Sequence, residues 1–297
     1  MTFHRTIKPT LTPINLDHDD SLAYTTKAGR LWEMTLISTS AEVIARTTMG
    51  GAARDRDVKN GDIAAYAFTC ELRVNGRSIT IRREVGTQQS FYEPTVVDGV
   101  RIWFDAASCA FDADGGFMGE KDWRLGYICQ PSRKARFAVQ DESLTICPEP
   151  IQPWFPIPSR RLNIADCYNG EDCWMGPYSG GAAHCGLDVN TPAGTVLSAP
   201  ISFDTHYLFH STLAGFNNNR WRGVRHWADG STWELQCHHQ MEMLVTERTP
   251  LTAGTPYATG AGVAYGAHTH NHFMFKVIEQ GGEYWLDPWI LFWQMYR

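Results

Sequence analysis

Two short segments of the sequence carry side chains that are typical ligands of a divalent metal ion. The first is His184-Cys185-Gly186-Leu187-Asp188, and the second, about eighty residues later, is His270-Asn271-His272-Phe273. Two imidazoles and one carboxylate from these segments would bind one metal ion, and one imidazole would remain beside it. A catalytic zinc ion keeps three protein ligands and leaves its fourth position to water. If the two segments meet in the fold, this pattern predicts a hydrolase.

The spacing within the first segment fits a strand. Side chains four positions apart share a face in a helix and in a strand, so His184 and Asp188 come together in either. Gly186, Pro192 and Gly194 argue against a helix here. We therefore expect a strand, with the small Gly186 in a tightly packed position or a bulge beside the site.

The second segment belongs to a run of alternating residues. His268, His270 and His272 alternate, so one face of a strand would carry three imidazoles. Phe273 and Phe275 would point to the opposite face and into a core. A cluster of histidines on the surface is the alternative to metal binding. Packing explains three such rings poorly, because each buried ring nitrogen needs a hydrogen-bond partner.

An adjacent pair of histidines occurs in Cys237-His238-His239-Gln240. In a regular strand the two rings would point to opposite faces, and one of them would simply be exposed. The pair by itself therefore does not indicate a metal site, and it supports one only together with the other two segments.

Strand signals dominate the sequence, and helical periodicity is scarce. Asn75-Gly76 and Asp98-Gly99 separate runs of alternating apolar residues. Such dipeptides favour tight hairpins, because both central residues must take a positive φ. We predict a mainly β protein with one helix after Asp287-Pro288, where the proline suits a first turn.

A proline-rich stretch divides the chain. Its prolines are Pro148, Pro150, Pro153, Pro156 and Pro158. Proline fixes φ and lacks a backbone donor, so residues 148–160 are predicted to form a semi-rigid linker. Residues 1–147 would then form a β-rich N-terminal domain, like a sandwich or a barrel, and residues 161–297 a second domain. A proline-rich loop packed on a single domain is the alternative.

Composition argues against several classes of function. The net charge is -6 and the pI is near 6.0, so no basic face for nucleic acid is expected. No apolar run reaches the roughly 18 residues of a membrane-spanning helix. Met1–Asp20 has no apolar signal-peptide core, so the chain is either cytosolic or trimmed of its leader. Cys167 and Cys173 could form a disulfide in an oxidising compartment.

The motifs, in this order, resemble those of lysostaphin/LytM-type zinc metallopeptidases. Residues 184–199 are similar to the family's HxGxD…GTxVxA signature, and residues 270–273 to its HLHF motif. Residues 235–254 are similar to the histidine-bearing strand and hairpin between them. The resemblance covers roughly residues 165–278. It implies an antiparallel β-sheet metallopeptidase domain in residues 161–297.

The resemblance also implies a role for each polar residue. His184, Asp188 and His272 match the ligands of Zn²⁺, which would be the cofactor. His270 and His239 match the two catalytic histidines that do not bind the metal.

The chain departs from the family pattern at several positions. The family's Tyr-x-His-Leu is Gln236-Cys237-His238-His239-Gln240 here, and its glutamate after HLHF is Met274. Its Gly-Pro before HxH is Ala267-His268-Thr269. A register that uses positions 268 and 270 is a lesser alternative to 270 and 272, which Phe273 favours. These departures concern the substrate more than the metal.

The implied reaction is hydrolysis of peptide bonds in peptidoglycan cross-links, outside the cytoplasm. A metal-activated water would attack the carbonyl, and the two catalytic histidines would move protons. An inactive binding or regulatory relative is one alternative. A zinc D,D-carboxypeptidase-like hydrolase is another, and it would need a cationic pocket, for which Arg220, Arg222 and Arg225 are candidates. The N-terminal domain would bind wall polymer, occlude the groove or brace the catalytic domain.

Overall fold

The computed structural model describes residues 1–47, 63–85, 93–108, 129–156, 177–178, 182–211, 218–260 and 270–296. Cys167, Cys173 and His268 lie outside the described residues. The expected disulfide and the alternative histidine register therefore stay predictions.

The first half of the chain forms two β-sheets. Their strands are β1 (Thr2–Thr6), β2 (Thr12–Leu16), β3 (Ser21–Thr25), β4 (Leu31–Thr47), β5 (Ile63–Val74), β6 (Arg77–Val85), β7 (Thr95–Val97), β8 (Val100–Ala107) and β9 (Ala135–Asp141). One sheet has the order β1-β3-β4-β5-β6, with β1 and β3 parallel and the other pairs antiparallel. The other, β2-β9-β8-β7, is antiparallel. Buried side chains of both sheets, such as Phe68 and Phe137, share one core.

Both predicted hairpin turns are present. Asn75 and Gly76 have φ values of 46° and 81°, and Asp98 and Gly99 have values of 50° and 85°. Two successive left-handed residues match the right-handed twist of the strands that such a turn joins. The turns connect β5 to β6 and β7 to β8, which confirms the strand prediction for these segments.

The second half is also built mainly of strands. They are β10 (Pro177–Tyr178), β11 (Ala182–Ala183), β12 (Leu187–Val189), β13 (Val196–Ser198), β14 (Thr205–Phe209), β15 (Asn219–His226), β16 (Thr232–Met243), β17 (Pro256–Gly260), β18 (Asn271–Glu279) and β19 (Gly282–Leu286). The main sheet has the antiparallel order β12-β18-β16-β15-β14. Strand β19 pairs with β18, and β17 pairs with β13 and β16. The prediction of a mainly β, antiparallel protein is confirmed.

Helix α1 (Trp289–Met295) follows Pro288, as predicted. Most of its side chains are buried, and Phe292 packs edge-on against Phe273 of β18. Among the residues that the structure describes, no helix combines the length and apolar character that a membrane span requires.

One face of the main sheet packs into a large apolar core. Trp221, Trp233, Phe273 and Phe275 lie on this face and are fully buried. The two phenylalanines thus point into a core, as the alternation in the sequence predicts. Residues that alternate with them point to the opposite face, where the polar side chains gather.

The proline-rich stretch contributes to this core. Trp154 and Phe155 are buried, and the indole Nε1 of Trp154 donates a hydrogen bond of 2.7 Å to the Tyr257 hydroxyl. The ring of Trp154 also lies 4.8 Å from that of Phe273. The division of the chain into two domains stays a prediction, but Trp154 and Phe155, with the partly buried Ile151, pack in the same core as β18.

A buried ionic cluster connects the two halves. Arg83 of β6 pairs with Asp287, which precedes α1, and Arg136 of β9 pairs with Asp105 of β8 at 2.6 Å. The backbone N–H of Asp287 donates to Asp105 Oδ1 at 2.7 Å. Burial raises the pKa of Asp287 to about 6, although the nearby Arg83 lowers it. The cluster therefore fixes the end of β19 onto the N-terminal sheets.

This cluster makes a testable contribution to stability. We expect Arg83→Met to lower the free energy of unfolding by about 3–5 kcal/mol, because it leaves Asp287 buried without its partner. The matched control is Arg77→Met, which breaks the exposed ion pair with Asp98 and should cost far less, because water screens exposed charges. Urea unfolding of both variants measures the difference. Equal, small losses would contradict the prediction.

Candidate metal centre

Three neighbouring strands bring the predicted polar residues together. Asp188 of β12 lies directly opposite His272 of β18, and His272 lies opposite His238 of β16. Residues that face each other across an antiparallel pair share one face of the sheet. The two segments separated by about eighty residues in the sequence therefore meet in the fold.

Asp188 is at the centre of this group. Its Oδ1 lies 2.8 Å from His272 Nδ1 and 3.5 Å from His184 Nε2. Its Oδ2 lies 3.5 Å from Nε2 of His270. His184, Asp188, His270 and His272, which the sequence singles out, thus all contact one another or the same carboxylate.

The donor set fits a zinc ion. One ligand atom from each of His184, Asp188 and His272 lies within 4.8 Å of the others. Tetrahedral zinc with bonds of about 2.0–2.1 Å would hold its ligand atoms roughly 3.3–3.4 Å apart. The separations of 2.8 and 3.5 Å from Asp188 are close to this value, so small movements of the side chains would suffice.

Burial and charge favour the metal-binding forms of Asp188 and His272. Burial by itself raises the pKa of the Asp188 carboxyl, but the imidazoles of His184 and His270 outweigh it and hold that pKa well below its ordinary value. Burial lowers the pKa values of His238, His239 and His272. A charged carboxylate and neutral imidazoles are the protonation states that metal binding requires.

Gly186 allows the backbone to approach the ring of His272. The expected strand is shorter than predicted: His184 precedes β12, and the chain bends at Gly186. A Cβ atom at position 186 would lie 2.4 Å from Cε1 of His272 and 2.6 Å from the backbone oxygen of Phe273. Any side chain here would therefore displace a predicted ligand.

Strand β16 bulges at the adjacent histidines, which corrects the expectation from a regular strand. Trp221 pairs with Cys237 and Asn219 with Gln240, so β16 holds one extra residue between them. His239 has a φ of 63°, a conformation that costs a residue with a side chain about 1–3 kcal/mol. As a result both rings lie near His272, with centroids at 5.0 Å for His238 and 6.2 Å for His239.

His239 and His270 lie side by side. Their ring centroids are 4.7 Å apart. Nδ1 of His239 is 2.9 Å from Oδ1 of Asn218 and donates to it, which leaves the lone pair of the neutral ring on Nε2. Asn218 belongs to no recognised motif, so no pattern of residue types pointed to it. His238 stands beside His239 in the sequence, and it reaches the site because it pairs opposite His272.

The three arginines proposed as a cationic pocket have different surroundings. Arg225 pairs with Asp204 at 3.0 Å. The guanidinium of Arg222 stacks over Tyr207, 4.8 Å from the ring centroid. Arg220 is exposed and lies close enough to the histidine bulge to lower the pKa values there.

No protein-family model and no curated protein matches the chain. Several solved structures are similar to it. Lysostaphin in solution matches 36% of this chain and 42% of its own, at 22% identity and a TM-score of 0.30. The catalytic domain of lysostaphin from Staphylococcus simulans matches 48% of this chain and 89% of its own, at 17% identity and a TM-score of 0.31. A zinc-containing peptidase from Vibrio cholerae matches 89% and 83%, at 10% identity and a TM-score of 0.31.

These structures are of peptidases, the class of protein whose motifs the sequence resembles. The chain spans less than half the length of the full lysostaphin that it matches. At these TM-scores, activity and substrate have to be argued from the site itself.

The close approach at Gly186 gives a prediction for metal affinity. We expect Gly186→Ala to weaken zinc binding by about 10–100-fold, because the added methyl group pushes the His272 ring away. Competition with a chromophoric chelator measures the affinity. The control is Gly194→Ala, in which the added methyl group meets no atom within 4 Å, although the φ of 81° is strained. Equal zinc affinity of the two variants would argue against the assignment of His272.

Proposed function

We propose that this protein is a zinc-dependent metallopeptidase, an endopeptidase that hydrolyses peptide bonds in peptidoglycan cross-links. One observation carries the proposal: the buried carboxylate of Asp188 is contacted by imidazoles from two separate segments, at 2.8 to 3.5 Å. Buried ionic groups persist when they are paired or bind metals. A structural role for this carboxylate would not require the two further histidines beside it, His238 and His239, whose pKa values burial lowers.

His184, Asp188 and His272 would hold the zinc ion. When bound, zinc lowers the pKa of a coordinated water towards about 7 and polarises a substrate carbonyl. Asp188 supplies the negative charge of the ligand set, and the two imidazoles supply neutral nitrogen donors. Their burial excludes competing water from this side of the site.

His239 and His270 would move the protons. The Nε2 lone pair of His239, fixed by the bond from Nδ1 to Asn218, can accept a proton from the attacking water. His270, whose Nε2 lies 3.5 Å from Asp188 Oδ2, would act as the donor to the developing oxyanion. The different partners of the two rings therefore support different tasks.

Two alternatives are weaker. An inactive relative that only binds or regulates would not need all three ligand positions and both catalytic positions to be filled. A D,D-carboxypeptidase-like enzyme would need a pocket for a terminal carboxylate. Of the three candidate arginines, Arg225 already pairs with Asp204, and Arg222 stacks on Tyr207.

Among the roles proposed for the N-terminal half, the contacts favour bracing. Cys185, next to His184, and Met274, two residues after His272, pack into the core of the N-terminal sheets. We infer that the N-terminal half packs against the segments that carry the candidate ligands and holds them in position. The peptidoglycan substrate implies a location outside the cytoplasm.

The ligand and proton-transfer roles separate in two alanine variants. We expect His184→Ala to lose bound zinc, since one of three ligands is gone. His270→Ala should keep its zinc while hydrolysis falls by about two to four orders of magnitude. Elemental analysis and a peptidase assay measure the two effects.

The control is His226→Ala, which removes an exposed histidine at the end of β15 and should change neither quantity. Full zinc retention in His184→Ala would overturn the ligand assignment. Unchanged turnover in His270→Ala would reject its catalytic role.

The position of the cleaved bond distinguishes the endopeptidase from the carboxypeptidase. We expect the zinc-loaded protein to release internal fragments from peptidoglycan, and to cleave oligopeptides equally well when their C-terminal carboxyl is converted to an amide. Mass spectrometry of the products identifies the bond, with His184→Ala as the inactive control. Cleavage of the last residue only, abolished by the amide, would support the carboxypeptidase.

A further inference from the structure

We propose that Asn271 is a positioning residue that holds the histidine bulge of β16, and with it His239, in place. Asn271 lies between His270 and His272 in the sequence, yet its side chain is fully buried and does not join the metal ligands. The inference about the catalytic effect rests on the proposed peptidase function. The inference about the bulge rests on the fold alone.

The amide of Asn271 uses both of its ends. Its Nδ2 donates to the backbone oxygen of His238 at 2.8 Å and to that of His239 at 3.0 Å. Its Oδ1 accepts a hydrogen bond of 2.6 Å from the Thr191 hydroxyl. Because carbonyl oxygens only accept, the two contacts to β16 fix the orientation of the amide.

The bulge needs such a partner. The pairing of β16 with β18 ends at His238 and His272, so the ladder supplies no further bonds at His239. The left-handed φ of His239 persists only if the surroundings hold it. The two N–H donors of the Asn271 amide take the place of the backbone hydrogen bonds between β16 and β18 where β16 departs from a regular strand.

A glycine leaves the space that the Asn271 amide occupies. A Cβ atom at Gly260, the last residue of β17, would lie 2.7 Å from Oδ1 of Asn271. Thr191, Gly260 and the bulge thus surround the amide from three segments. The HLHF motif that residues 270–273 resemble has a leucine here, which has a similar size but no hydrogen-bond donors.

Asn271→Leu tests the proposal in the metal-free protein. In wild type, His239 Nδ1–H is bonded to Asn218, and His272 Nδ1–H to Asp188. Nitrogen-15 NMR of the imidazole groups should show both protons protected from exchange. We expect the variant to lose protection at His239 while His272, in the same spectrum, keeps it.

Kinetics of the zinc-loaded protein provide the second readout. We expect Asn271→Leu to keep its zinc and KM while kcat falls by about 10–100-fold. Thr191→Val removes only the hydrogen bond to Oδ1 of the amide, so we expect smaller losses of kcat and of His239 protection. This variant provides the test if Asn271→Leu fails to fold. Asn15→Leu is the control, since it removes a half-buried asparagine of β2 whose Nδ2 donates to Ser132 and which contacts none of the candidate site residues.

If the His239 Nδ1 proton is as well protected in Asn271→Leu as in wild type, the positioning role is overturned. If Asn271→Leu does not fold, the role is overturned when Thr191→Val shows the same His239 protection and the same kcat as wild type. An absence of zinc binding or hydrolysis in wild type would reject the proposed function instead, and the NMR result would still decide the role of Asn271.

Discussion

A carboxylate that is buried away from water has to be compensated by its neighbours, and this constraint acts on Asp188. Its side chain is about 4% exposed, and imidazoles approach it at 2.8, 3.5 and 3.5 Å. An unpaired ion in such a place would cost several kcal/mol. The nitrogen donors around this carboxylate come from two segments about eighty residues apart in the sequence, and together they form a set of ligands suited to zinc.

The close approach of these groups depends on two irregularities of the backbone. Gly186 removes a side chain from the place that the ring of His272 occupies. The bulge at His238–His239 turns two adjacent rings towards one face of the sheet, at the expense of a strained φ. Strain of this kind persists where surrounding contacts over-determine it, and Asn271 supplies such contacts.

The N-terminal half reaches the site through buried polar contacts. Arg136, paired with Asp105, also donates to the backbone oxygen of Cys129, and the thiol of Cys129 lies 3.8 Å from the backbone oxygen of His184. The cluster that fixes Asp287 belongs to the same network. The position of a candidate ligand is therefore coupled to the packing of strands that carry no candidate ligand or catalytic residue.

The residue types and their local periodicity were enough to predict the candidate chemistry and the hairpin at Asn75-Gly76, because ligand identity, turn preference and alternation are properties of neighbouring residues. The grouping of Asp188 with His272 was implied by the resemblance of the motifs and not by periodicity. Residue types and periodicity could not reveal that His238 joins the site, that Asn218 orients His239 or that Asn271 holds the bulge. Those features depend on the register between strands far apart in the sequence, and register is decided only when the apolar faces of the sheets are buried together.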